Sequence, residues 1–240
     1  MLQPVSRQSD LTLEKTAIPP RPENVSTWAP LSISAFRIIW IANLFANLGV
    51  WAQSVAAAWV VTSAQASPVM VAMIQVAAAA PLVLMSIVTG VIADNYDRRK
   101  VMLFGLFIEV LGGAFITVIA FMGLLTPTLL IASILCVSVG GAITTPAWQA
   151  AVNEQVPRNL VSSAVLLNSV NYNAARAIGP AIGGMLLAAL GPAWIFLLNV
   201  VCFCTLIWAL WRWRRAVPQK SLPPERLWEG IKAAIHFTQY

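Results

Sequence analysis

A short charged turn, Gly90 through Lys100, lies between two apolar runs at residues 68–92 and 101–123. Each run is long enough to cross a bilayer, for which an α-helix needs about 20 apolar residues. Asp94, Asp97, Arg98, Arg99 and Lys100 are thereby pinned at a membrane surface. Within lipid, each backbone N–H and C=O must find its partner inside the segment, so runs of this length fold as helices. Composition agrees: a chain with 59% hydrophobic and 10% charged residues would not stay soluble as a globular domain.

The same pattern recurs along the chain. Six spans are expected, at residues 38–62, 68–92, 101–123, 128–148, 164–189 and 193–211. The connections at 63–67, 124–127 and 190–192 hold no charged residue. The other connections carry Arg37, then Arg98, Arg99 and Lys100, then Arg158, then Arg212, Arg214, Arg215 and Lys220. The positive-inside rule puts that side, and with it both termini, in the cytoplasm. Trp211 and Trp213 fit an interfacial belt at the inner end of span six. The formal charge of +6 does not point to nucleic acid, because the basic residues flank spans and form no continuous stripe.

Residues 1–35 are polar and proline-containing, without a secretory signal, and are expected to be a disordered cytoplasmic tail. Residues 36–211 form the bundle. Residues 212–240 read as the start of a cytoplasmic linker cut short, with Trp228, Ile231 and Ile235 on one face of an amphipathic helix. Cys136, Cys202 and Cys204 lie within spans and read as small hydrophobes. His236 is the only histidine and has no ligand cluster around it. No metal, cofactor or enzymatic site is expected, since no nucleophile–base pair or phosphate loop is legible.

The polar residues inside spans carry the chemistry. Asn168, Tyr172 and Arg176 recur every four residues and share one face of span five. An arginine near mid-span costs about 2.5 kcal/mol or more in lipid, so it faces water, a partner or neighbouring carbonyls. Gly179, Gly183 and Gly184 allow a neighbouring helix to approach, and Pro180 permits a kink. Asn43, Asn47, Trp51 and Ser54 form a polar stripe on span one, facing a cavity or another helix. Glu109 is the only acid inside a span, with Gly105, Gly112 and Gly113 on its side of the helix. Buried membrane carboxyls of this kind carry protons; pairing with Arg176 and a plain packing role are the alternatives. Gln149 and Asn153 read as gate or interface groups at the end of span four. In the charged turn, Asp97 suits the start of span three, whereas Asp94 closes span two and wants a cation, with Arg98 near in sequence.

The turn Gly90-Val91-Ile92-Ala93-Asp94-Asn95-Tyr96-Asp97-Arg98-Arg99-Lys100 resembles the loop between helices two and three of the major facilitator superfamily. Phe36-Arg37, Trp40, Asn43, Asn47-Leu48-Gly49, Trp51, Gln53 and Ala58-Trp59 resemble the first helix of bacterial exporters of the enterobactin-exporter and transmembrane secretion effector type. So do Pro146, Gln149, Val156-Pro157-Arg158, Asn168 and the run Arg176 through Gly184. The superfamily loop usually has a basic residue where Asn95 stands and a glycine where Asp97 stands. Only the second half of the helix-five motif of drug antiporters, Gly179-Pro180 and Gly183-Gly184, is intact.

The resemblance implies the N-terminal half of a major facilitator fold, built from two inverted three-helix repeats. It implies proton-coupled export of a siderophore, drug or metabolite by alternating access in a bacterial inner membrane. The partners would be the lipid bilayer, the substrate, protons and a C-terminal six-helix half. Gly90, Asp94, Asp97, Arg98, Arg99 and Lys100 would latch the two halves, against a bare topology signal as the plain reading. Helix one would line the cavity and helix three would lie at the periphery, behind it. A half-transporter completed by a second copy of itself, or a non-transporting scaffold, are the competing readings.

Overall fold

A computed structural model describes residues 26–213. The readings made for residues 1–25 and 214–240, including the amphipathic linker helix, Arg214, Arg215, Lys220 and His236, lie outside the described residues. Six long helices account for the rest: α1 (Ser34–Ser63), α2 (Pro68–Asn95), α3 (Arg98–Phe121), α4 (Pro127–Gln155), α5 (Val161–Leu190) and α6 (Pro192–Arg212). Each is long and apolar enough to cross a membrane.

The helix ends follow from local chemistry. Proline occupies the first turn of α2, α4 and α6, where its missing N–H costs nothing and its φ is already helical. Asp97 caps α3, its carboxylate accepting from the Lys100 amide at 3.2 Å. Thr126 caps α4 through the Leu129 amide at 3.3 Å. Gly191, at φ 81°, lets α5 turn directly into α6. Most helices run past the apolar spans read from the sequence, α4 by a further two turns to Gln155. Backbone hydrogen bonding continues where hydropathy falls, so an apolar run marks the lipid-matched part of a helix and not its ends. Residues 29–35, expected within the disordered tail, are ordered: a 3-10 turn at Ala29–Ser32 leads into α1, and Leu31 and Ile33 pack beside buried Phe36.

Packing shows an exchange between the two halves of the bundle. α1 packs on α5 and α6, while α4 packs on α2 and α3, and α3 packs on α6. Swapping α1–α3 with α4–α6 maps this set of contacts onto itself. One core cluster joins Ile39 near the start of α1, Ala93 at the end of α2, Val101 at the start of α3 and Leu210 at the end of α6. These belong to one end of the bundle, so α1 leaves that end and α4 returns to it. The repeats are therefore inverted, each lending its second helix to the other. That end gathers Arg37, Asp94, Asp97–Lys100, Glu154, Arg158 and Arg212; it is called the charged end below.

A second core cluster, with Val61, Ile116, Leu130 and Phe196, fills the opposite end. α2 and α5 are the least buried helices. Close crossings fall at small residues. A Cβ on Gly183 would stand 2.7 Å from the Ala52 Cα, and one on Gly179 would stand 2.5 Å from the Trp51 Cβ. Gly184, grouped with them in sequence, meets nothing within 4 Å. Trp213 is not an interfacial side chain: it is 4% exposed within the first cluster, where α6 ends against α1. Trp211, at 70% exposed, keeps the outward position.

Candidate functional site

A cavity of about 700 Å³ occupies the charged-end half of the bundle. α1 contributes Asn43, Asn47 and Val50; α4 contributes Thr144, Thr145, Trp148 and Gln149; α5 contributes Val165, Asn168, Ser169, Tyr172 and Asn173. Leu106 and Glu109 of α3 and Phe203 and Leu206 of α6 close it from behind. Helical spacing explains the walls. Residues three or four apart stack on one face, so Asn43 and Asn47, then Asn168 and Tyr172, project as rows. Small residues, Ala46 and Gly141, keep the space between them open.

The α1–α5 wall is stitched by polar groups. Asn47 Nδ2 donates to Asn171 Oδ1 at 3.0 Å, and Asn171 Nδ2 donates to the Trp40 carbonyl at 2.8 Å. The Trp40 indole donates to the Leu167 carbonyl at 3.0 Å. Asn47 thus serves both alternatives read for the span-one stripe, cavity and helix contact. Asn171 was missed because it stands one residue off the Asn168–Tyr172 row; an asparagine this deep in an apolar run was the available signal. Asn168 presents a buried Oδ1 with no hydrogen-bond partner at the cavity wall. A second buried pair, Asn199 on α6 donating to Gln53 on α1, lies beside Gly49, where a Cβ would collide with Asn199.

Glu109 lies at the back of the cavity, buried, with Thr144 Oγ1 3.1 Å from its Oε1. The same hydroxyl stands 3.0 Å from the Gly140 carbonyl. Gly140 makes room for the side chain, since a Cβ there would stand 2.6 Å from Glu109 Cγ. Of the glycines near Glu109 in sequence, Gly105 and Gly112 face α4, and Gly113 faces Val200 of α6. Helix three stands behind the cavity, and the Gly105–Gly140 crossing brings it close enough to α4 for Glu109 to reach the wall. One reading needs correction: Glu109 does not pair with Arg176, whose guanidinium lies instead over the Trp51 ring, 5.7 Å from its centre. Gln149, read as a gate or interface group, also lines the cavity.

Trp51 of α1 and Arg176 of α5 lie outside the cavity lining, Arg176 continuing the α5 row beyond Tyr172. The Trp51 and Tyr172 rings meet edge to face at 6.0 Å. Gly179 explains the arrangement: its missing side chain admits the Trp51 Cβ and brings the indole beneath Arg176.

The charged turn is tied to two other helices. Arg98 Nη1 donates to the Ala150 carbonyl at 2.8 Å and pairs with Glu154 at 3.0 Å, both on α4. Arg99 donates to the Trp211 carbonyl at the end of α6. Glu154 escaped the sequence reading, which looked for the partner of Arg98 inside the turn. Its signal was its charge and its position at the end of a span on the same side. Gly90 faces open space.

This architecture can be set beside known proteins. Residues 25–240 match the family model described as transmembrane secretion effector. A staphyloferrin A transporter of Staphylococcus aureus (strain NCTC 8325 / PS 47) is 27% identical over 159 residues, 65% of this chain and 40% of that protein. A multidrug efflux pump, Tap, of Mycolicibacterium fortuitum is 25% identical over 213 residues, covering 85% and 52%. An MFS-type transporter, YfiS, of Bacillus subtilis (strain 168) is 28% identical over 138 residues, covering 58% and 32%. The chain thus spans about half or less of the relatives it matches. With six inverted-repeat helices and a family match across nearly its whole length, the chain belongs to the transmembrane secretion effector family of major facilitator transporters.

Proposed function

We propose that this chain forms the first half of a secondary exporter that moves a small molecule by alternating access, driven by the proton gradient. The observation that carries this reading is the cavity: amide and aromatic side chains from α1, α4 and α5, with one buried carboxyl behind them. In lipid, polar side chains are sustained by helix–helix hydrogen bonds, water or a ligand, and Asn43, Asn168, Tyr172 and Gln149 face the cavity instead of hydrocarbon. The named activities of two relatives, a siderophore transporter and a multidrug efflux pump, fit a small amphiphilic cargo.

Asn43, Asn47, Asn168 and Tyr172 are the cargo-facing groups of this half, with Trp51 and Arg176 at the far end of the row. Glu109 is the proton-coupling group. The Thr144 hydroxyl has one hydrogen and two acceptors in reach, Glu109 Oε1 at 3.1 Å and the Gly140 carbonyl at 3.0 Å; donated to Gly140, it leaves the Thr144 oxygen open to accept from a protonated Glu109. A proton taken up there therefore has an acceptor already in place. The turn residues Gly90, Asp94, Asp97, Arg98, Arg99 and Lys100 form a conformational latch, tied within this half to Glu154 and Trp211. The exposed α2 and α5 and the open side of the cavity face the rest of the transporter. The charged end is cytoplasmic by the positive-inside rule, and the membrane is a bacterial inner membrane.

The test is transport by the full-length protein in everted membrane vesicles, with a fluorescent dye and an iron-loaded siderophore as probes. Accumulation should require an acid interior, collapse with a protonophore, and lose its pH dependence in Glu109→Gln while exchange of probe persists. Accumulation indifferent to the protonophore, or unaltered pH dependence in Glu109→Gln, refutes proton coupling at this residue. Absence of transport for every probe class tried refutes the exporter reading.

A further inference from the structure

Arg176 stands near the middle of α5, where a cation fully exposed to hydrocarbon is costly. Its side chain is exposed on the helix, not folded into the bundle core. No carboxylate among the described residues lies within ion-pair distance of it, and the carboxylate of Glu154 is engaged by Arg98 instead. What holds it is aromatic. The guanidinium lies over Trp51, and Trp51 meets Tyr172, which lines the cavity one helical turn away.

This geometry leaves the guanidinium hydrogens free for another partner. A cation over an indole face is oriented by the ring quadrupole, but its five N–H donors lie in the guanidinium plane and still point outward. A planar fork of donors beside aromatic surface fits an anionic group, which it binds with two parallel hydrogen bonds. The cavity lining brings no second cation: Glu109 is its only charged side chain, and it lies on α3, away from the α5 row. Among the described residues the site therefore has its positive charge at one place, at the far end of a row of hydrogen-bonding and aromatic groups.

We propose that Arg176, seated over Trp51 next to Tyr172, is a subsite for an anionic group, and that the exported compound is an amphiphile bearing one. This rests on the transport reading for its cargo, and the experiment below reads the subsite without requiring transport. An acidic side chain from the remainder of the protein is the rival partner for the same guanidinium, and the experiment separates the two.

The full-length protein would be prepared with Cys136, Cys202 and Cys204 replaced by alanine and a single cysteine introduced by Tyr172→Cys. Its modification rate would be compared for two thiol reagents of like size, anionic methanethiosulfonate ethylsulfonate and cationic methanethiosulfonate ethyltrimethylammonium. With Arg176 present, the anion-to-cation rate ratio should exceed that of the Arg176→Gln version by about fivefold, as expected for one uncompensated charge a helical turn away in a hydrated cleft. Arg176→Lys should restore most of the ratio. An equal ratio with and without Arg176 overturns the proposal, because the charge is then already neutralised by another side chain. Failure of both reagents to react also overturns it, because the site is then closed to water-borne anions. Asn173→Cys, also on the cavity wall, provides the same comparison should Tyr172→Cys fold poorly. Loss of the charge effect with proton-driven export intact would sink the anion subsite alone. Absence of export by the full-length protein with Tyr172 in place, with the charge effect intact in the Tyr172→Cys version, would sink the transport reading alone.

Discussion

Two adjacent glycines of α5 should respond oppositely to the same substitution. A methyl group on Gly183 would stand 2.7 Å from the Ala52 Cα, 2.9 Å from its carbonyl oxygen and 3.1 Å from its Cβ. Ordinary carbon–carbon contact needs about 3.5–4.0 Å, so α1 and α5 must part by about 1 Å. The obstructing atoms are mainly backbone and cannot swing aside. Overpacking of this kind costs about 1–3 kcal/mol, and the better helix propensity of alanine returns at most about 1 kcal/mol. With that return in full the net loss is up to about 2 kcal/mol, a fall in Tm of up to about 8 °C for a domain of this size, and Gly183→Ala should lie about 1–3 kcal/mol below Gly184→Ala, which shares the propensity gain. At Gly184 the same methyl group meets nothing within 4 Å, so Gly184→Ala should leave Tm unchanged or slightly raised. Thermal unfolding of the purified full-length protein in one detergent, followed by tryptophan fluorescence, makes the comparison. Equal shifts for the two variants, or a Gly183→Ala protein at least as stable as Gly184→Ala, would refute the close α1–α5 crossing.

Asn171→Leu removes two α1–α5 hydrogen bonds at a buried position; at about 0.6 kcal/mol each, reversible unfolding should show a loss of about 1–2 kcal/mol. Arg98 and Glu154 should couple by about 1 kcal/mol in a double-mutant cycle of Arg98→Ala and Glu154→Ala, read by denaturant unfolding, and a coupling near zero would remove the pair as a tie between the turn and α4. Reporter fusions at residues 30 and 220 should both give cytoplasmic signals, and a periplasmic signal from either would overturn the assigned orientation.

Much of the fold was legible because lipid enforces local rules. A membrane span must satisfy its own backbone, so an apolar run announces a helix without reference to the rest of the chain. Charge at alternate connections then set the alternation of helix direction, and the core cluster joining Ile39, Ala93, Val101 and Leu210 agrees with it. Asp97 was readable as a helix start because capping involves only the next three residues. The row Asn168, Tyr172, Arg176 was readable because helical spacing alone puts three such residues on one face.

Other features needed the tertiary structure. In a soluble protein, an apolar stripe shows which face of a helix is inside. In lipid, both the buried and the exposed faces are apolar, so the rotation of each helix is not written in its hydropathy. That is why Trp213 was taken for an interfacial residue and proves to be core, and why Gly184 was grouped with Gly183 although only Gly183 meets α1. Partners distant along the chain were illegible for the same reason. Glu109 meets Thr144 and Gly140, and Arg98 meets Glu154, only where α3 crosses α4, and Asn171 meets Asn47 only because α5 packs on α1 of the other repeat. The sequence by itself determined the number of helices, their alternating directions and the polar residues they carry, since each is set by a few neighbouring residues and the solvent. Which faces meet, and therefore that Glu109 stands at the cavity wall while Arg176 lies over Trp51, was decided by small-residue crossings, Gly105 with Gly140 between α3 and α4 and Gly179 with Trp51 between α5 and α1.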